Sequence, residues 1–326
     1  MSTQATAQES RTEPGRARRR PDAAWVARNG VYLALVVLVL LNIVITPYFV
    51  SASNLRLQLI QAAPVVIVAL GMSLVIGTKG IDLGVGSVMA LSAAIMPLYI
   101  GYGTLPAILV GVAAGLVTGF VAGTLVSRLG LQPIVATLAI FVGGRGLANV
   151  IGGQIKNLSD PGLVRLGSGS TLGVPNTVLV AAVVFAVVWF VVRRTTFGRG
   201  VEAIGGNPRA AELAGLRRAR ILLTVYMVAG VLAAVAGVLA AARSQASDPR
   251  TLGLLMELNA IAAVVIGGTP LSGGKVRVVG TVAGALLMQL LVSTLVAHDV
   301  PDSVAQMIQA GVIVVAVWVQ LGRKRS

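Results

Sequence analysis

The chain contains no cysteine and a single histidine, His298. Disulfide and thiol chemistry are therefore excluded, and zinc sites built from Cys and His have no ligand set. Charge is also scarce. Only 11% of the 326 residues are Asp, Glu, Lys or Arg, against about 25% in soluble domains. No two carboxylates stand at i, i+3 or i+4 inside an apolar run, so paired acid–base chemistry has no carrier. No catalytic residue, metal or cofactor is expected. What the chain has is apolar surface: 56% of its residues are hydrophobic. Repeated apolar runs of about 20 residues mark a polytopic, all-α membrane protein, because a chain in lipid must satisfy its own backbone groups.

Ten spans are predicted: 31–50, 55–77, 87–101, 105–126, 134–151, 177–192, 221–242, 257–268, 279–297 and 303–321. The third and eighth look short. Residues 1–30 are polar and predict a disordered tail, followed by one transmembrane unit over 31–322. The tail carries Arg16, Arg18, Arg19 and Arg20, which read as an orientation signal or a contact with anionic lipid.

The net charge of +15 is topological on this layout. With the N-terminus inside and the spans alternating, 20 of the 26 Lys and Arg fall on the cytoplasmic side and 5 outside. Arg145 lies within a span. That asymmetry places both termini and the loop 193–220 in the cytoplasm. The longest outer loop, 152–176, is rich in turn residues and reads as a connector or a docking surface.

The loop 193–220 contains a short helix with both ends marked. Asn207 suits the N-cap, Pro208 the first helical position and Gly215 the C′ position. Ala210, Leu213 and Ala214 share one face, while Arg209 and Glu212 share another. Such a helix either lies on the membrane surface or docks into a second protein, and docking is the preferred reading.

Two places break apolar runs in a related way: VIGTKGIDLGVGSVMALSA from Val75 and VIGGTPLSGGKVRVVGTVAGA from Val265. Glycine-broken segments in both halves point to a transport path. The residues concerned are Gly80, Asp82, Gly84 and Gly86 in the first half, and Gly267, Gly268, Gly273 and Gly274 in the second. The alternative is a pair of tight turns. Asp82 is expected to N-cap the third span. Arg145 is expected to meet a carboxylate or carbonyl across the bundle. Gln58, Gln61, Asn149 and Gln289 offer hydrogen bonds to an uncharged solute or to other helices. LSGGK at Leu271–Lys275 is no phosphate loop: Thr269 stands where the first glycine belongs, and Val276 follows the lysine. His298 beside Asp299 reads as a solvated pair.

GIDLGVGSVMALSA (80–93), LQPIVATLAIFVGGRGLA (131–148), TTFGRGVEAIGGNPRAAELAGL (195–216) and GGTPLSGG (267–274) resemble membrane permease subunits of bacterial ATP-binding-cassette importers, in the ribose/xylose/arabinose branch. The resemblance runs over essentially the whole chain after residue 30. Gly84 stands where that family often has Ser. The resemblance implies a bacterial inner-membrane permease that imports a pentose-like monosaccharide by alternating access. The partners it implies are a second permease copy, cytoplasmic ATPase subunits and an extracytoplasmic sugar-binding protein. It also implies that Glu202, Gly205, Gly206, Asn207, Pro208, Ala210 and Ala211 form the element that engages the ATPase. A secondary transporter or channel for a small polar solute is the competing class. Coupled carriers use ionisable relays in the membrane, and only Asp82 and Arg145 suggest themselves here.

Overall fold

The computed structural model describes residues 21–325, with side chains from 29 to 315. The tail arginines Arg16, Arg18, Arg19 and Arg20 lie outside the described residues. The chain folds into α1 (Pro21–Ile45), α2 (Ala52–Gly77), α3 (Val85–Ile95), α4 (Thr104–Ser127), α5 (Pro133–Gly152), α6 (Pro161–Ser168), α7 (Asn176–Arg194), α8 (Thr196–Gly206), α9 (Pro208–Leu213), α10 (Arg218–Ser244), α11 (Met256–Ile266), α12 (Val278–Ala297) and α13 (Asp302–Arg325). The first helix begins at Pro21, ten residues before the predicted span.

Seven helical stretches are long and apolar enough to cross a membrane: α2, α3 with its extension, α4, α5, α7, α10 and α12. Three shorter apolar stretches, Asn29–Ile45, Met256–Ile266 and Asp302–Val315, coincide with the remaining predicted runs. The third run is not short after all. α3 continues directly as a 3-10 helix over Met96–Tyr102. At about 1.5 Å and 2.0 Å per residue, the two together reach about 30 Å, the thickness of a bilayer core.

α2 is the axis of the bundle. It is apolar on every side, and a helix of that kind is buried. Nearly every residue from Ile60 to Gly77 is inaccessible, and α7, α10, α11 and α12 pack around it. Its start is fixed by Ser51, whose hydroxyl accepts from the Asn54 amide at 3.3 Å. The closest helix pair is α4 with α10. Gly111, Gly115, Gly119 and Gly123 recur every four residues along α4; the last three face the backbone of α10, and Gly111 sits against Ser92 of α3 and Val238 of α10. A side chain at Gly115 would overlap the Gly230 carbonyl, and one at Gly119 would overlap the backbone of Tyr226 and Met227. Small residues let two backbones touch where lipid supplies no hydrophobic drive.

The loop between α5 and α7 is a folded cap rather than a run of turns. Strand β1 (Lys156–Asn157) pairs antiparallel with a strand after α10, Ala246–Ser247, and a two-residue hairpin closes 170–175. Between them, Asp160 starts α6 by accepting from the Leu163 amide at 3.0 Å and from the Thr104 hydroxyl at 2.6 Å. Leu158 and Leu163 are fully buried against α3, α4 and α10. Asp-Pro is a strong helix start, and two leucines are enough to seat the segment on the bundle. At the same end, His298 Nε2 lies 3.3 Å from the Thr46 hydroxyl, which in turn donates to Asn42. His298 therefore belongs to the α1–α12 contact and is not merely solvated.

Candidate functional site

The arginine-rich end carries the short helix where the sequence places it. α9 begins at Pro208, the Asn207 side chain accepts from the Ala210 amide at 3.1 Å, and Gly215 has φ +84°. The preceding α8 is unforeseen. Its sequence, TFGRGVEAIGG, holds four glycines in eleven residues, each costing about 1 kcal/mol relative to Ala. Packing overrides propensity: Gly198, Val201, Ile204 and Gly205 are buried on one face.

That face is where three segments converge. The amide of Gly274 donates to the carbonyl of Gly77 at 3.0 Å, so the two Val-Ile-Gly breaks touch directly. Gly205 of α8 sits against both. A side chain there would overlap the Gly77 carbonyl and the Gly274 amide. Lys79 Nζ donates to the Gly206 carbonyl at 3.1 Å, and Glu202 Oε1 accepts from the Val276 amide at 2.9 Å. Gly273 and Gly274 hold φ of +71° and +81°, a region that favours glycine. Five glycines (77, 205, 206, 273, 274) thus weld α8 to the end of α2 and to the loop between α11 and α12.

On α9 the predicted apolar face, Ala210, Leu213 and Ala214, is exposed throughout, and Ala211 lies outside it. Ala211 is buried against the protein itself, while Leu213 is 84% exposed and Ala210 and Ala214 are also exposed. Arg209 and Glu212 are exposed too, and Glu212 forms a 3.4 Å ion pair with Arg218. An exposed pair of this kind contributes little to stability. Glu202 differs from these, since its Oε1 is turned onto the Val276 amide. It is an internal staple.

Deeper in the bundle, α3 and α11 are short helices whose N-termini meet. After the strand at 246–247 the chain turns back inward. Pro249 packs on Gly152, the Leu252 carbonyl reaches Arg145, and Gly253 packs on Gly86. Arg145 Nη1 donates to the carbonyls of Pro249 (2.9 Å) and Leu252 (2.7 Å). This is the carbonyl partner expected for it. Asp82, 6% exposed, accepts from the Gly84 amide at 2.8 Å. The N-cap position of α3 itself is Gly84, without a side-chain cap. Asp82 therefore braces the approach to the helix rather than capping it. Glu257, in the first turn of α11, is equally buried and is not among the residues the sequence singles out. A carboxylate beside each helix N-terminus answers its exposed amides. Two residues of α5 hold the same region: the Thr137 hydroxyl accepts from the Leu83 amide, and the Phe141 carbonyl accepts from Ser87 Oγ at 2.6 Å.

A cavity of about 640 Å³ opens between α2, α10, α11 and α12 toward the capped end. Its polar lining includes Gln61, Arg243, Asp248, Thr251, Asn259 and Gln289. Gln289 Nε2 donates to Gln61 Oε1 at 3.1 Å. The neighbouring Gln58 bonds Ser293 across the same α2–α12 contact, and Asn149 is exposed on α5. Pro64, also in the lining, supplies no amide to the carbonyl of Ile60 one turn earlier. None of Gly80, Asp82, Gly84, Gly86, Arg145, Gly267, Gly268, Gly273 or Gly274 lines this cavity. Gly80 lies against the Tyr226 hydroxyl, Gly84 against Ile140, and Gly267 packs on Gly280 where α11 crosses α12. Gly268 (φ +87°) turns the chain beside Arg277.

Comparison with known proteins bears on what this arrangement is. A family model described as the branched-chain amino acid transport system / permease component matches residues 54–317. The galactofuranose transporter permease of Escherichia coli (strain K12) is 38% identical over 310 residues, covering 92% of this chain and 91% of that one. The ribose import permease of Bacillus subtilis (strain 168) is 38% identical over 302 residues, covering 91% and 93%. The L-arabinose ABC transporter permease of Azospirillum brasilense is 32% identical over 320 residues, covering 94% of each. No solved structure matches. With its breaks, its short capped helix and almost its whole length matched in this way, the chain belongs to the family of permease components of ABC importers, beside those for sugars.

Proposed function

We propose that the chain forms the path of an ATP-driven importer for a neutral, pentose-like monosaccharide. The membrane unit is 31–322, crossing ten times, with both termini and α8–α9 in the cytoplasm. A separate ATPase subunit receives α9. A sugar-binding protein delivers the solute at the capped end, and a second permease copy completes the channel. Alternating access then requires only that the ATPase engage the two conformations unequally.

The observation that carries this reading is the glycine weld. A push on α9 reaches α8 through Asn207, and Gly205 rests on both Gly77 and Gly274. Displacement is thereby passed to the end of α2 and to the loop joining α11 and α12, and these three helices line the solute cavity further up. Exposed Leu213 gives the partner an apolar anchor. The amide pair Gln61–Gln289 suits a polyhydroxylated, uncharged ligand, which offers donors and acceptors but no charge.

The test is Leu213→Asp in the assembled transporter. The expected result is normal insertion, loss of the co-purifying ATPase and uptake reduced about tenfold or more. Unchanged ATP-driven uptake would remove the docking assignment. Uptake driven by a proton or sodium gradient, with this chain alone in the vesicle, would replace it with a secondary transporter.

A further inference from the structure

We propose that the cleft along α7 and α12, bordered by α1 at its polar end and by α2 at its apolar end, is a binding site for an anionic phospholipid of the inner leaflet. It rests on the orientation proposed above. Two cavities make up the site. The first, about 540 Å³, lies at the arginine-rich end and is lined by Asn29, Tyr32, Arg193, Lys275 and Arg277 above the start of α12. The second, about 230 Å³, is wholly apolar and is lined by Ala62, Val66, Ala181, Phe185, Val282 and Leu286.

The two cavities are consecutive along the same helices. On α12, Val279 of the first is followed by Val282 and Leu286 of the second at +3 and +7, one face of a helix. On α7, Arg193 of the first lies eight residues beyond Phe185 and fifteen beyond Val178, the near and far ends of the second. At about 1.5 Å per residue these separations are roughly 12 and 22 Å, so the groove runs past the ~15 Å depth of one leaflet's hydrocarbon. A headgroup in the basic cavity therefore places its acyl chain in the apolar groove.

Charge selects the lipid. The Arg218–Glu212 bridge is the one ion pair among the described residues, so Arg193, Lys275 and Arg277 have no carboxylate partner. Glu202 also lines the cavity, but its Oε1 is engaged by the Val276 amide. A phosphodiester brings one negative charge and two non-bridging oxygens that the three cations can share, and at a membrane surface each cation is worth roughly a fivefold preference for anionic lipid. The apolar groove excludes a free anion as sole occupant, since that ligand leaves ten apolar residues uncovered. The lipid is thus a wedge between α7 and α12, its headgroup seated on the loop that carries Gly274.

The experiment uses the full chain, purified in mild detergent and titrated with phosphatidylglycerol, phosphatidylcholine or inorganic phosphate. Native mass spectrometry and thermal unfolding are the readouts. Phosphatidylglycerol is expected to be retained and to raise the unfolding temperature, with the other two giving little. Arg193→Gln with Arg277→Gln is expected to weaken phosphatidylglycerol retention by an order of magnitude or more. Arg217→Gln with Arg220→Gln removes the same charge outside the cleft and is expected to change retention little. Ala181→Phe, which fills the groove and keeps every cation, is expected to reduce retention as well. The proposal is overturned if the two double variants behave alike, if phosphate stabilises as well as the lipid, or if Ala181→Phe retains lipid normally. Sugar uptake enters none of these readouts, so failure here is separable from failure of the importer reading.

Discussion

Glu202 on α8 accepts a hydrogen bond from the backbone amide of Val276, 74 residues away, at 2.9 Å. Val276 is buried, and it precedes α12 by two residues. Replacing Glu202 with Ala leaves that amide without its acceptor. We expect a loss of about 1 kcal/mol, the low end for an unpaired buried group because Glu202 itself is partly open to water. Glu202→Gln keeps an acceptor oxygen and is expected to restore most of the loss. Thermal unfolding of the three proteins in one detergent checks both statements. Equal destabilisation by Ala and Gln would mean that the charge matters and the bond does not.

Gly205 is the tightest point of the weld. Gly205→Val would force the Gly77 carbonyl and the Gly274 amide apart. Overpacking of this kind costs about 1–3 kcal/mol. The expected phenotype is specific: a protein that still inserts and still binds its ATPase, but whose ATP hydrolysis no longer yields uptake. Hydrolysis and transport measured on the same proteoliposomes separate this from simple misfolding.

The α4–α10 contact supports a different prediction. Gly115→Leu would overlap the Gly230 carbonyl and the Ala234 side chain. Here the damage falls on assembly of the bundle rather than on coupling. Yield after detergent extraction is expected to fall severalfold, while residual folded protein transports at normal rate per molecule. An inactive but fully folded Gly115→Leu protein would contradict this.

Asp160 gives the cap a pH dependence. The Thr104 hydroxyl, with the amides of Leu163 and Gly162, holds its carboxyl below the usual aspartate range. A depressed carboxylate contributes stability that is present above its unfolded pKa and lost as pH falls through the folded one. The α6 segment should therefore be protected near neutral pH and open in acid, below about pH 4. Hydrogen exchange over 161–168 from pH 3 to 7 reads this out, and Asp160→Asn should flatten the profile.

The all-α class, the run positions and the capped α9 are legible in the sequence because each has a local cause. Asn207, Pro208 and Gly215 are capping chemistry, and an apolar run of 20 residues has one outcome in lipid. What is not legible depends on contact between distant segments. α8 reads as a loop because its glycines oppose a helix, yet those same glycines make the weld possible. Ala211 and Leu213 share an apolar character, and only the fold turns one inward and leaves the other bare. Glu257 carried a usable signal, as the one carboxylate in the eighth apolar run. The kinship of the two Val-Ile-Gly breaks is visible as similarity, but their direct contact is not.

The stripe of Gly111, Gly115, Gly119 and Gly123 has a mechanical corollary. Two helices that touch backbone to backbone cannot slide past one another without climbing over their own carbonyls. α4 and α10 are therefore chassis, and whatever swings when the solute passes must be sought among α2, α11 and α12. A crosslink freezing α4 to α10 should be harmless to a working transporter, whereas one freezing α2 to α11 should stall it.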